Sequence, residues 1–347
     1  MLPTLIRDGE GSMLKHASEQ YMLTDNLGGK LAVPETPSDD FVYYSPDETA
    51  AIRTYYADYG YVVVRGLVPA ALLDRANAAF DDEVLPSTRF IYRQASANPE
   101  RHVLTANGFM QNSILNLQSL DPRYYGGFRH NAAQLLTDPA IQKVVQGIFG
   151  EPPKLVQSMY FQGNPVTWPH QDTYYLDSEH LGSMSAAWIA AEDISPGAGR
   201  FFVYPGSHKI DMQKNGGDFD IAFHHDRYKQ LVRDVIENQR LQCRAPALAK
   251  GDVLFWHART IHGSLPTSQP ERSRRSFTAH YIPQSHRFFQ WQSREKPLGY
   301  TVVNGMRMAH PKDQARASNR AVLFVETRFP GVFRSVKKLA VKLVTSG

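Results

Sequence analysis

The chain of 347 residues contains a single cysteine, Cys243. One thiol cannot form an intrachain disulfide, which sets aside the disulfide-stapled secreted scaffolds and fits a reducing cytoplasm. No stretch approaches the ~18 uninterrupted apolar residues of a membrane span. The N-terminus lacks a basic start followed by an apolar core, so no secretory signal is expected. Met13, after Gly9-Glu10-Gly11-Ser12, is an alternative start. Charge of one sign is also scarce: 38 basic against 34 acidic residues give a net +4. That excess is too mild to indicate nucleic acid, where basic side chains cluster on one face. It is compatible with an anionic small-molecule substrate. Internal repeats and low-complexity segments are absent.

Aromatic residues are plentiful, with 17 Tyr and 18 Phe, and 42% of the chain is hydrophobic. Such a chain can bury a large core. We expect one domain: an irregular lead-in over 1–44, helices and an all-β core over 45–285, and an extension over 286–347. Ser45-Pro46-Asp47-Glu48 predicts a capped helix start, and Gly60 its end after Tyr59. Tyr61–Arg65 should be a strand. Ala70–Glu83 and Asn131–Phe149 should be helices, the latter stopped by Gly150 and Pro152.

From Lys154 the texture changes. Short apolar runs at Leu155–Phe161, Ser185–Ala191, Phe201–Tyr204, Asp252–Trp256 and Ser276–Ile282 alternate with Pro- and Gly-bearing turns. Many short strands at this spacing predict a sandwich or barrel. The fold class expected is α+β: a jelly-roll (double-stranded β-helix, cupin-like) core with the N-terminal helices packed on one sheet.

His170-Gln171-Asp172 is the central string. Residues two apart on a strand share a face, so one imidazole and one carboxylate can meet a single metal ion. A second histidine from a distant strand would complete a 2-His-1-carboxylate facial triad, which leaves open positions at the metal. His262 is the candidate and His257 its competitor. Five residues apart on a regular strand, they face opposite sides, so only one can serve. Gly263 would let a ligand approach the backbone closely. Downstream, Arg274, Ser276, Thr278 and His280 alternate with Phe277, Ala279 and Tyr281. A strand face headed by Arg suits a cavity that holds a carboxylate.

Taken in order, His170-Gln171-Asp172, Ala187-Trp188, Pro205-Gly206-Ser207-His208, Gly251-Asp252-Val253-Leu254-Phe255, His262-Gly263-Ser264 and the Arg-bearing strand resemble the phytanoyl-CoA dioxygenase family. The resemblance covers roughly 155–283. It implies a non-haem iron(II) oxygenase that uses 2-oxoglutarate and O2 as cosubstrates and releases succinate and CO2. By resemblance, His170, Asp172 and His262 are the iron ligands. Arg274, with Arg275 as the alternative, binds the distal carboxylate of 2-oxoglutarate, and Ser276 can add a hydroxyl. Trp188 matches a cosubstrate-pocket aromatic. Asn116 falls where the family has a lysine that touches the cosubstrate. Met159 or Tyr160 is the next pocket position, and Gln157 resembles a polar residue on the corresponding strand of ectoine hydroxylase. Tyr174, Tyr175 and Arg200 could reach a small-molecule substrate. The Pro-Gly turn before Ser207-His208 reads as structural.

Related halogenases lack the carboxylate that Asp172 supplies, so hydroxylation of an unactivated C–H is the expected outcome, with desaturation, cyclisation or epimerisation as variants. A catalytically silent jelly-roll binding protein and a zinc hydrolase are the rival readings. In the extension, Val332, Val336, Leu339 and Leu343 could share one helical face, with Arg334, Lys337, Lys338 and Lys342 around the others. Such a helix could dock on the core or on an anionic membrane surface.

Overall fold

A computed structural model describes residues 20–24, 30–34, 42–220, 223–292, 294–331, 333 and 335. The alternative start at Met13 and most of the amphipathic stretch after residue 331 lie outside them. The lead-in is not wholly irregular, because Gln20–Thr24 and Lys30–Pro34 pair as an antiparallel hairpin.

Helix α1 spans Thr49–Tyr59. Its cap position is Glu48 rather than Ser45; the Glu48 carboxylate accepts the Ser45 N–H at 2.6 Å across the preceding turn. Gly60 closes the helix at φ 75° with its N–H on the Tyr56 carbonyl. A Cβ there would sit 2.3 Å from His208 Nδ1. The Pro-Gly-Ser-His string therefore packs its histidine ring on a helix end, a structural role as expected. Strand β1, Tyr61–Val64, follows.

Helix α2 covers Ala70–Ala79 and runs into one wide turn to Val84. A single helix was expected over 131–149. The structure has two, α3 (Pro122–Leu136) and α4 (Pro139–Phe149). Asp138 caps α4 by accepting the Ala140 N–H at 2.8 Å, and Pro139 occupies the first helical position. A proline there begins a helix and cannot continue one.

The expected strands are all present: β2 (Pro153–Phe161), β3 (Ser185–Ala190), β4 (Phe201–Val203), β5 (Val253–His257), β6 (His262–Ser264) and β7 (Ser276–Pro283). The main sheet runs in the order β2-β7-β3-β5-β1. The opposing sheet is small. His170 bridges His262, β6 pairs with β4, and Val203 bridges Arg244.

Strand alternation then divides the molecule. Val62, Tyr160, Ile189, Phe255, Phe277 and Tyr281 face the N-terminal helices, where they meet Leu73, Phe128, Leu136 and Val145. Burying each large side chain there contributes about 1.5–3 kcal/mol. Val63, Trp188, Leu254 and Trp256 face the opposite way and line the jelly-roll interior with Phe201 and Val203.

Between Ser207 and Cys243, where the sequence reading placed no helix, α5 spans His225–Asn238. Tyr228, Leu231, Val232 and Val235 cover the outside of the small sheet together with Phe202 and Tyr204. Beyond β7, Tyr300–Val303 and Met306–Ala309 form a hairpin that extends the main sheet at β2. Its turn is Asn304-Gly305, both at positive φ, the residue pair that suits a tight hairpin. Helix α6, Ala317–Arg328, follows the hairpin and buries none of its residues. Among the described residues, no helix is long and apolar enough to cross a membrane.

Candidate metal centre

Among the described residues, the metal-ligating side chains that gather within 4.8 Å of one another are His170, Asp172 and His262. Asp172 Oδ1 lies 3.5 Å from His170 Nε2 and 3.6 Å from His262 Nε2. Neighbouring donors on an octahedral cation with ~2.1 Å bonds are about 3 Å apart, so this donor set fits a metal ion with a small inward adjustment.

Backbone geometry places the three. His170 and His262 exchange both N–H to C=O bonds at 3.0 Å across an antiparallel bridge. Gln171 is extended, and Asp172 begins a short helical turn. Gly263 has a different use from the one expected. A Cβ there would lie 2.6 Å from the Thr167 carbonyl, so glycine admits the chain that carries His170, not a ligand. Each ligand ring is also oriented from behind: Nδ1 of His170 meets the Trp168 carbonyl and Nδ1 of His262 the Thr260 carbonyl, both at 2.9 Å. A carbonyl only accepts, so Nδ1 carries the proton and Nε2 offers its lone pair to the centre. Burial pushes His262 down to about 4, leaving it neutral near pH 7, the ligating state. Burial opposes charge on Asp172, yet the His262, His280 and His170 rings hold its carboxyl well below the usual carboxylate range.

His257 is not at this centre. It ends β5, separated from β6 by a turn, so the two histidines do not share a strand and the facing rule was not what excluded it. Its ring lies beside His208 (5.3 Å) and lines a cleft of about 420 Å³ with Arg53 and Tyr56.

Arg274 is 2% exposed, and its Nη1 donates to the Gly199 carbonyl at 2.9 Å. Its Nε is buried without a partner. Phe161 and Trp188 wall the guanidinium at 5.4 and 5.9 Å. Burial pushes its pKa down to about 9. A run of rings leads from there to the His170–Asp172–His262 cluster, with Trp188 6.0 Å from Phe201 and Phe201 5.4 Å from His262. Arg275 points to the helix side and pairs with Asp81 at 2.8 and 2.9 Å.

The remaining candidates divide. Ser276 is fully buried on the Arg274 face, and Gln157 pairs opposite His280 on that same face. Tyr160 is corrected: it packs among Phe80, Phe128 and Phe277 on the helix side, so Met159, opposite Thr278, is the interior residue. Asn116 adopts a left-handed conformation (φ 56°), and its Oδ1 is buried without a partner. Tyr174 is corrected as well, being stacked on Tyr228 at 4.4 Å with its hydroxyl on the Gly217 carbonyl. Arg200 is buried at the head of β4. Tyr175 stays at the site, edge-on to His170 at 5.5 Å. His170 is the open side of the triad, 18% exposed against 4% for His262.

Several residues went unrecognised in the sequence. Trp256 donates to Asp172 Oδ2 at 2.8 Å. The Tyr228 hydroxyl accepts the Gln171 N–H at 2.7 Å and so pins the backbone between two ligands. His225 Nε2 meets the Tyr175 hydroxyl at 2.9 Å, and Trp291 lies 5.8 Å from the same ring. The helical spacing of Tyr228, Leu231, Val232 and Val235 was the available signal for α5, and Trp291 had none.

A jelly roll with a His-Asp-His centre and a buried arginine behind it is the architecture of an enzyme of the non-haem iron dioxygenase type. The chain belongs to the phytanoyl-CoA dioxygenase (PhyH) family, whose model matches residues 56–276. It is 25% identical over 245 residues to the human protein named phytanoyl-CoA dioxygenase, peroxisomal, spanning 66% of this chain and 67% of that one. The bovine protein of the same name is 24% identical over 249 residues, with the same coverage. The fold is shared with the non-haem alpha ketoglutarate dependent epimerase SnoN from nogalamycin biosynthesis, at TM-score 0.51, 18% identity and coverage of 76% of this chain and 99% of that one. It is likewise shared with the carbocyclase SnoK from the same biosynthesis, at TM-score 0.51, 19% identity and coverage of 73% and 88%.

Proposed function

We propose that this chain is an iron(II)- and 2-oxoglutarate-dependent oxygenase that hydroxylates an unactivated C–H bond of a small molecule. The observation that carries this reading is Arg274: a guanidinium 2% exposed, with one protein carbonyl and an unpartnered Nε. A buried cation in that condition is costly until an anion meets it. A dicarboxylate of 2-oxoglutarate size supplies that anion at one end and a keto acid for the metal at the other. A zinc hydrolase would have no use for the arginine.

His170, Asp172 and His262 would hold the iron. When bound, iron with 2-oxoglutarate and O2 supplies the oxidising power, and succinate and CO2 are released. The chain does the rest by position. Trp188, Phe201 and Phe161 keep water from the arginine end. Tyr175, His225 and Trp291 form the aromatic rim at the open side, where a substrate would be held against His170. Trp291 and Gln292 are both at positive φ, a strained backbone of the kind found at functional loops. The lone, buried Cys243 supports a reducing cytoplasm as the place of action.

Anaerobic addition of 2-oxoglutarate to the Fe(II)-loaded protein should produce the visible charge-transfer band of the chelate. A library of small molecules should then yield succinate and a product heavier by one oxygen. Absence of the band at saturating iron and 2-oxoglutarate would leave the silent binding protein as the better reading.

For the C-terminal segment we propose contact with an anionic membrane surface. Helix α6 exposes Val322, Phe324 and Val325 and buries nothing, and Phe329, just past its end, is exposed as well. Residues 316–347 carry seven Lys and Arg against one acid, Glu326, which is engaged by the Tyr92 hydroxyl. An apolar helix face with a basic surround complements anionic lipid. The protein should sediment with vesicles containing phosphatidylglycerol and not with phosphatidylcholine alone; equal behaviour with both would remove the proposal.

A further inference from the structure

Asp172 divides its carboxylate between two tasks. Oδ1 faces the Nε2 atoms of His170 and His262 at 3.5 and 3.6 Å. Oδ2 meets two other partners. It accepts a 2.8 Å hydrogen bond from the Trp256 indole and lies 3.4 Å from His280 Nε2. We propose that Trp256 and His280 are positioning residues that reserve Oδ2, so that Asp172 offers the metal one oxygen only. This inference rests on the metal-site reading above.

Three observations support it beyond the two contacts. Trp256 and His280 are each 1% exposed, so neither is held by water. His280 Nδ1 is buried without a partner. A histidine kept for packing would satisfy both nitrogens; this one has its Nε2 turned to the carboxylate and gains nothing at the other end. Finally, the pairing of β2 with β7 shifts register between His280 and Tyr281, with Val156 as the extra residue on β2. Bulges beside functional sites re-aim side chains, and this one lies beside the residue that reaches Asp172.

The consequence is chemical. A carboxylate with both oxygens free can grip a hard cation through either one or two of them. A second grip would occupy a position that a chelating keto acid or oxygen requires. Donors on Oδ2 oppose it, and they also fix the plane of the carboxylate.

Mn(II) is a suitable probe of affinity, and Co(II) reports coordination through its visible spectrum. In the full-length protein, Trp256→Phe and His280→Phe should each weaken Mn(II) binding by about 10-fold or more, and both should alter the Co(II) spectrum. His280→Gln, which can still donate to Oδ2, should restore most of both. A variant that keeps the wild-type melting temperature while its spectrum changes separates positioning from packing. Wild-type Mn(II) affinity and an unchanged Co(II) spectrum in folded His280→Phe would overturn the inference. If His280→Phe does not fold, the same result in Trp256→Phe would overturn it. Failure of the wild-type protein to bind Mn(II) at all would instead sink the metal-site reading, and this inference with it.

Discussion

Two adjacent arginines show how a single residue step decides a role. Arg274 and Arg275 leave the backbone on opposite faces of the β7 approach. One is buried among Phe161, Trp188 and the Gly199 carbonyl, and the other pairs with Asp81 beside α2. Arg274→Ala should raise the apparent 2-oxoglutarate constant at least ~10-fold, as expected for a charge-assisted contact of ~1.5–3 kcal/mol. Arg275→Ala should leave it nearly unchanged and cost a little stability. Succinate release against 2-oxoglutarate concentration measures both; a defect confined to Arg275→Ala would reverse the assignment. His257 offers a second test. His257→Gln should retain Mn(II), whereas alanine at His170, Asp172 or His262 should lose it. Burial pushes His257 down to about 3. Below the unfolded pKa near 6.5 the unfolded chain takes up a proton that the native ring refuses, so stability falls as pH drops from about 6.5 towards 3. At pH 5 the loss from this group is about 1–2 kcal/mol. Urea midpoints at pH 7 and pH 5 should therefore differ less in His257→Gln than in the wild type. An equal difference in both would show that this ring is not the sensor.

At the scale of elements, the site depends on how closely two short segments approach. The small sheet has His262–Ser264 between β4 and the segment through His170, and Gly263 is where they touch. Gly263→Ala would push a methyl group to 2.6 Å from the Thr167 carbonyl and 2.7 Å from the Phe202 ring. Relief requires a shift of the His170 segment. We expect a loss of about 1–3 kcal/mol together with weakened Mn(II) binding. Loss of stability with full metal affinity would mean that the segment yields elsewhere. The elements differ in how legible they are. Gly60 and Gly150 announce helix ends because a left-handed cap admits few other residues. Asp138-Pro139 and Asn304-Gly305 carry equally good local signals for a helix start and a hairpin, since proline suits the first helical position and Asn-Gly a tight turn. The position of Tyr160 was undecidable locally, since β2 is buried on both faces and its pattern does not alternate.

Across the whole molecule, the site is assembled from β3 to β7, α5 and the segments that follow β2 and β7, and every residue assigned to it precedes residue 292. Removing 332–347 should therefore leave Mn(II) and 2-oxoglutarate binding intact. Binding to anionic vesicles should drop, as measured by sedimentation; loss of metal binding on truncation would tie the tail to the core. The sequence by itself determined the fold class and the positions of the core strands, while His170, Asp172, His262 and Arg274 were singled out by ordered motifs that resemble the family, with His257 and Arg275 left as alternatives. The strands rest on local patterning, on apolar runs and on turn residues whose backbone preferences are their own, and the His170–Asp172 pair rests on a spacing of two with Gln171 between them. Only the tertiary structure decided that Gly263 serves a neighbouring chain segment, that Met159 and not Tyr160 faces inward, and that Tyr174 belongs to the α5 core. It alone brought Trp256, His280, Tyr228 and Trp291 to the triad. These residues lie up to 119 positions from Asp172, the distance in sequence to Trp291, and Trp256 is 84 away. No spacing rule spans such separations, because which strands become neighbours is settled by the packing of the two sheets and not by the residues between them.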